Sequence, residues 1–257
     1  MAQTLLFDLA VFLILALGVG TFAFALVRRA SPLIGWHGHG NVWTGPFRRL
    51  DLALVFLYLG LHLAILVAAA QEPPASGGAA QSGGGPWGAL LLERALPGAA
   101  LVFYLGIARS IDVREAFGLE RLRLGQIVVW GIGAAAVLVP LARGAAWLFN
   151  RAFPGWEPPA PAVALPGSLL VLAMPLFEEV LFRGVLYAVV KRFSDRYFAA
   201  ILSAGAFALA HYDVGALAPL FALGIGLALA YELSGCLWVP IAAHAAFNAW
   251  GLIRAAA

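Results

Sequence analysis

The sequence predicts an all-α fold, a polytopic membrane bundle of about eight transmembrane helices. Three observations predict it. Hydrophobic residues make up 63% of the 257 and charged residues only 11%, against about 25% charged in an ordinary soluble domain. Apolar runs of about 17–25 residues, the length that crosses a bilayer, recur along the chain. No segment shows the polar–apolar alternation of a membrane barrel. The expected surrounding is the lipid bilayer, that of a bacterial inner membrane. The net charge of +3 is no signal for nucleic acid, because the basic residues sit mainly in short loops between apolar runs, where they set topology.

The runs fall at about 4–27, 51–70, 89–108, 127–149, 166–190, 198–213, 216–233 and 237–254. The first ends at Arg28 and Arg29 with no small-residue cleavage site, so it reads as a retained span. Glu93, Arg94 and Pro97 lie near the start of the third. The sixth is short, and Pro219 and Pro240 sit near the starts of the seventh and eighth, where proline is tolerated. Small residues at close spacing (Ala200, Ala204, Gly205 and Ala208, then Gly224, Gly226, Ala228 and Ala230) predict closely approaching helices in the second half.

The loops divide by charge. Arg28, Arg29, Arg48 and Arg49 follow span one; Arg109, Arg114, Arg121 and Arg123 follow span three; Lys191, Arg192 and Arg196 follow span five. The Gly/Ser/Pro/Ala-rich loop after span two, 71–87, has no basic residue, and the Pro-rich loop 154–161 lies after span four. The positive-inside rule then puts the ends of the odd-numbered spans in the cytoplasm and both termini outside. The single cysteine, Cys236, excludes an intramolecular disulfide and a thiolate metal cluster. The chain divides into residues 1–165, spans one to four with no recognised motif, and 166–257, spans five to eight.

Chemistry concentrates in the second region. Glu178, Glu179 and Arg183 lie within six residues of one another at the centre of span five. Each charge at that depth costs roughly 2.5–3.5 kcal/mol on insertion scales, so such residues are functional candidates by default. Glu179 and Arg183 form an i,i+4 pair in the favourable order, while Glu178 points about 100° away and is not neutralised by the same arginine. Pro175 removes a backbone hydrogen bond and makes room beside the carboxylates. His211 ends the run Phe207–His211, and His244 and Asn248 share one face of span eight. A carboxylate, two imidazoles and a carboxamide from three spans suggest activation of water at a buried polar pocket and stabilisation of an oxyanion.

Glu178-Glu179-x-x-x-Arg183, Phe207-x-x-x-His211 and His244-x-x-x-Asn248, in successive late spans, resemble the CAAX protease and bacteriocin-processing (CPBP, or Abi) family of intramembrane glutamic endopeptidases. The resemblance covers residues 166–254. It implies hydrolysis of a peptide bond in a membrane-associated protein or peptide, with Glu178 and His211 activating water. It also implies that Glu179 supports the site, Arg183 holds the glutamate pair, and His244 with Asn248 forms the oxyanion hole. No cofactor or resident metal is implied, although Glu178, His211 and His244 could together ligate zinc. The alternatives are a non-catalytic immunity or assembly protein that binds a hydrophobic peptide, a zinc-dependent form of the same protease, and a proton-coupled transporter.

The remaining polar residues read as structural. His62 has no polar companion at helical spacing. His37 and His39 lie in a Gly-rich basic loop and only superficially resemble a metal tract. Asp213 reads as an interfacial residue, and the arginine runs as topological signals with affinity for anionic headgroups.

Overall fold

A computed structural model describes residues 40–57, 60, 96, 98–154, 165–211 and 213–256, without the side chains of 165–171, 255 and 256. Span one, most of span two, the start of span three, the loop 71–87, most of the Pro-rich loop, and His37, His39 and His62 lie outside the described residues. Every regular element among the described residues is helical, as the composition predicts.

The principal helices are α1 (Leu124–Ala152), α2 (Leu165–Glu179), α3 (Arg196–Leu209), α4 (Leu217–Ser234) and α5 (Trp238–Ala256). A π-helical stretch, Val180–Tyr187, and a short helix, Ala188–Phe193, continue α2 without a break. π-Helical turns are rare and recur at functional sites; this one follows directly on Glu179. Two helices, α1 and α4, are long and apolar enough to cross a bilayer by themselves. On α1 the residues Val129, Ile132, Val137, Trp147 and Leu148 are all exposed. Such a continuous apolar surface suits hydrocarbon rather than water.

Local chemistry accounts for the helix ends. Asp195 is the N-cap of α3 and accepts from the backbone N–H of Tyr197 and Phe198 at 2.8 and 2.9 Å. Gly235 ends α4 in the left-handed conformation, φ 64°, and its N–H donates to Tyr231 O. Gly118, also left-handed, lies so close that a Cβ there would run into the carbonyl oxygen of Gly235. Glycine is thus required at both positions, by backbone angle and by close contact in each, a Cβ on Gly235 meeting Arg121 and the carbonyl oxygen of Asn41.

α3 differs from its predicted span. The sequence places span six at 198–213, but the helix stops at Leu209 and His211 lies in the following turn. His211 Nδ1 bonds Phe207 O at 2.8 Å, occupying the carbonyl that would accept the next helical N–H. The His211 N–H donates to Ala208 O instead. A side chain competing with the backbone in this way ends a helix.

The small residues meet as predicted at several points. α5 packs on α1 and α2, α3 packs on α4, and α4 packs on α1. A Cβ on Gly224 would lie 2.8 Å from Ala204 Cα, and one on Gly131 would lie 2.6 Å from Ala242 Cβ. Gly205 faces open space and takes no part.

The loop cations have structural partners. Residues 41–46 form a strap across one end of the bundle, and their carbonyls are pinned by side-chain cations. Arg121 donates to Asn41 O, Lys191 to Val42 O, Arg192 to Thr44 O and Gly45 O, and Arg109 to Pro46 O. Asn41 Nδ2 donates to Leu233 O at 2.7 Å. Beneath the strap, Lys191 Nζ lies 2.8 Å from both carboxylate oxygens of the buried Glu232, whose Oε2 also accepts from the Tyr187 hydroxyl at 2.6 Å. Asp51, fully buried, holds Arg109 and accepts from the Arg48 N–H.

Candidate active site

Glu178 and Glu179 are the last two residues of α2. Both are buried, Glu179 completely. One oxygen organises the cluster: Glu179 Oε1 accepts from Arg183 Nη1 at 2.7 Å and bonds His244 Nδ1 at 2.9 Å. The i,i+4 ion pair expected from the spacing is therefore present, with both side chains out of solvent. His244, reaching in from α5, turns its other nitrogen to the second glutamate, Nε2 lying 3.8 Å from Glu178 Oε2. A carboxylate bonded to Nδ1 fixes both the ring orientation and a proton on that nitrogen. One imidazole thus ties together the two glutamates that point apart on their own helix.

Arg183 is held on three sides. Besides Glu179, its Nη2 donates to Gly224 O at 3.1 Å, and its guanidinium carbon lies 4.5 Å from the Phe207 ring centroid. Gly224 lets α4 come close enough to α3 to present that carbonyl. Arg183 Nε and Glu179 Oε2 are buried without a hydrogen-bond partner among the described residues.

Phe207 belongs to the site although sequence reasoning assigns it no role there, and its only signal is that it opens the Phe-x-x-x-His motif. Its buried ring packs edge-on to the imidazole of His211, centroids 4.7 Å apart, and to that of His244, 5.4 Å apart. Phe182 completes the set at 5.4 Å. The two histidines, one from the turn after α3 and one from α5, thus share one aromatic wall. Asn248 sits one turn beyond His244 on α5 and is half-buried, as is His211. The structure joins Glu178, Glu179, Arg183 and His244 by polar contacts, brings His211 to them through Phe207, and puts Asn248 on the His244 side. Among the described residues, no three His, Cys, Asp or Glu side chains are arranged to hold a metal ion.

The model of the family described as type II CAAX prenyl endopeptidase Rce1-like matches residues 159–250, a stretch that contains Glu178, Glu179, Arg183, His211, His244 and Asn248. The match supports the resemblance of residues 159–250 to the CPBP family. A curated relative from Bacillus subtilis (strain 168), named "Putative membrane peptidase YdiL", is 29% identical over 92 residues, or 35% of this chain. The chain spans 38% of that relative's length. No solved structure matches the chain. The matched stretch coincides with α2 to α5, the helices that build the glutamate cluster.

Proposed function

We propose that the protein is an intramembrane endopeptidase that hydrolyses a peptide bond in a membrane-associated protein or peptide, as its resemblance to the CPBP family and its site geometry suggest. One observation carries the reading: Glu179 Oε1 holds both Arg183 and His244, and so fixes His244 Nε2 beside Glu178. Glu178 is the carboxylate that performs the chemistry. With His211 it takes the proton from the attacking water. His244 and Asn248, on one face of α5, stabilise the oxyanion of the tetrahedral intermediate. That role needs a proton on each ring nitrogen of His244, one given to Glu179 and one to the oxyanion. Two carboxylates, one guanidinium and one imidazolium sum to zero charge, an arrangement a buried site tolerates. A bacterial inner membrane is the proposed location, in keeping with the Bacillus relative.

The test compares protein termini in membranes from cells carrying the wild type and the nearly isosteric Glu178→Gln variant. New termini near membrane segments are expected with the wild type alone. Identical termini in both, with the variant inserted normally, would remove the proposal. A purified-protein assay with and without chelator separates the mechanisms: cleavage that survives chelation fits the glutamate reaction, and cleavage restored only by zinc does not.

A further inference from the structure

From Glu178 to Lys191 the chain is one continuous helical rod, and every residue of it is buried. The rod carries Glu178, Glu179 and Arg183 towards one end and Lys191 at the other. Between them lies the π-helical stretch Val180–Tyr187, eight residues long. π-Helical i→i+5 bonding is rare and found mostly as single turns within α-helices. A stretch of this length therefore needs support from outside the helix.

Side chains of two neighbouring helices supply it. Ser203, wholly buried on α3, donates its hydroxyl to Phe182 O at 2.8 Å. Tyr187, the last residue of the stretch, donates its hydroxyl to Glu232 Oε2 on α4 at 2.6 Å. One turn further on, Lys191 Nζ lies 2.8 Å from both oxygens of the same carboxylate. In the middle, Arg183 Nη2 donates to Gly224 O, also on α4. Arg183 and Lys191 stand eight residues apart on the rod, as Gly224 and Glu232 do on α4. The two helices are clamped side by side in one register.

Stability alone does not account for the cluster. A buried ion pair is often no better than apolar residues of the same volume, and its best-attested use is to fix register. Register matters here. If a π-helical bond reverted to i→i+4, residues on one side of it would turn about the axis relative to those on the other. Glu232 holds Tyr187 and Lys191, so the turn would fall on Glu178, Glu179 and Arg183. His244 would then lose its placement between the two glutamates.

We propose that Ser203 and Tyr187, the latter anchored on Glu232, are positioning residues that lock the π-helical stretch and so aim Glu178 and Glu179 at His244. They act through the backbone of the rod rather than on the substrate. The effect on cleavage rests on the peptidase reading above; the lock itself does not.

Two variants that each lose one hydroxyl test it. They are Ser203→Ala and Tyr187→Phe, the second keeping the ring that packs against Tyr231. Among the described residues Asp51 bonds Arg48, Tyr104 and Arg109, so Asp51→Asn weakens the fold away from the rod and serves as the control. The first readout needs no substrate: NMR of purified protein carrying isotope-labelled histidine, with the His244 ring signals assigned from their loss in His244→Gln. Both hydroxyl variants are expected to shift those signals. The control is expected to leave them in place while lowering the thermal midpoint at least as much. The second readout is the rate at which Glu178-dependent termini appear in membranes. It is expected to fall about tenfold to a hundredfold in the two variants, the cost of a misplacement of about 1 Å, and to hold in the control.

Unmoved His244 signals in both hydroxyl variants would overturn the proposal. Equal shifts in the control would overturn it too, since they mean general loosening. Moved signals with unchanged cleavage would overturn the link to the chemistry. A wild type that yields no termini counts against the peptidase reading, and the His244 signals then decide the lock alone.

Discussion

The guanidinium of Arg183 lies over the ring of Phe207, 4.5 Å from its centroid, while its Nη1 holds Glu179. The same ring faces His211 and His244, so one buried aromatic side chain fixes the relative positions of the cation and both imidazoles. Substituting Phe207→Leu keeps the site apolar but removes these edge contacts. The expected result is a correctly inserted protein with a small stability loss, about 1–2 kcal/mol, and proteolysis at least tenfold lower. Thermal unfolding in detergent and cleavage rate, measured side by side, check both halves.

Removing the guanidinium has a different consequence. Arg183→Ala leaves the fully buried Glu179 carboxylate without its cation, and breaking a buried pair typically costs about 3–5 kcal/mol. Arg183→Lys keeps the charge but loses the simultaneous reach to Glu179, Gly224 O and the Phe207 face. We expect Arg183→Ala to lower the yield of folded protein, with Glu179→Gln in the same chain recovering part of it. A double-mutant cycle on unfolding gives the coupling, and additive effects would contradict the shared-oxygen arrangement.

Gly224→Ala tests the contact that delivers the Gly224 carbonyl. The added methyl would sit 2.8 Å from Ala204 Cα. Overpacking of that kind costs about 1–3 kcal/mol, and the helices can relieve it only by moving apart. Activity is expected to fall more than stability does, because Arg183 loses an acceptor when α4 shifts. Gly205→Ala, at a glycine facing open space, is the matched control and is expected to be silent.

Cys236 is fully buried in the turn between α4 and α5, and burial pushes its thiol up from the usual range. A raised value means less thiolate at any given pH, and the thiolate is the nucleophile. Maleimide is therefore expected to react slowly with the folded protein near neutral pH, faster as pH rises, and fully only after unfolding. Rapid stoichiometric labelling of the native protein at neutral pH would contradict the burial.

Lys191→Met tests the strap. It leaves Glu232 buried with only the Tyr187 hydroxyl and removes the pin on Val42 O. A loss of about 3–5 kcal/mol is expected, together with faster trypsin cleavage at Arg48 and Arg49. Unchanged cleavage would mean that the other pins suffice.

Much of the second half was legible in the sequence, because apolar length and buried charge are strong signals there. The helices Leu124–Ala152, Leu217–Ser234 and Trp238–Ala256 match their expected spans within a few residues. The Glu179–Arg183 pair follows from spacing alone. What stayed hidden depends on partners far away in the chain. Nothing local says that His244, rather than a residue of α3, would bridge the two glutamates, since that depends on how α5 packs against α2. The early end of α3 comes from the His211 ring taking a carbonyl, which hydropathy does not register. The π-helical stretch leaves no mark on composition. In the sequence the basic loops signal orientation, and in the structure Lys191, Arg192, Arg109 and Arg121 prove also to be tertiary ligands of residues 41–46.

That last arrangement has a consequence for biosynthesis. The carbonyl of Val42 waits for Lys191, and Lys191 in turn needs Glu232, some 190 residues after Val42. At roughly 5–20 residues per second of translation, the interval is about 10–40 s. Throughout it the emerging chain must be kept from pairing wrongly, so the strap of residues 41–46 reaches its final contacts only after Glu232 has been made.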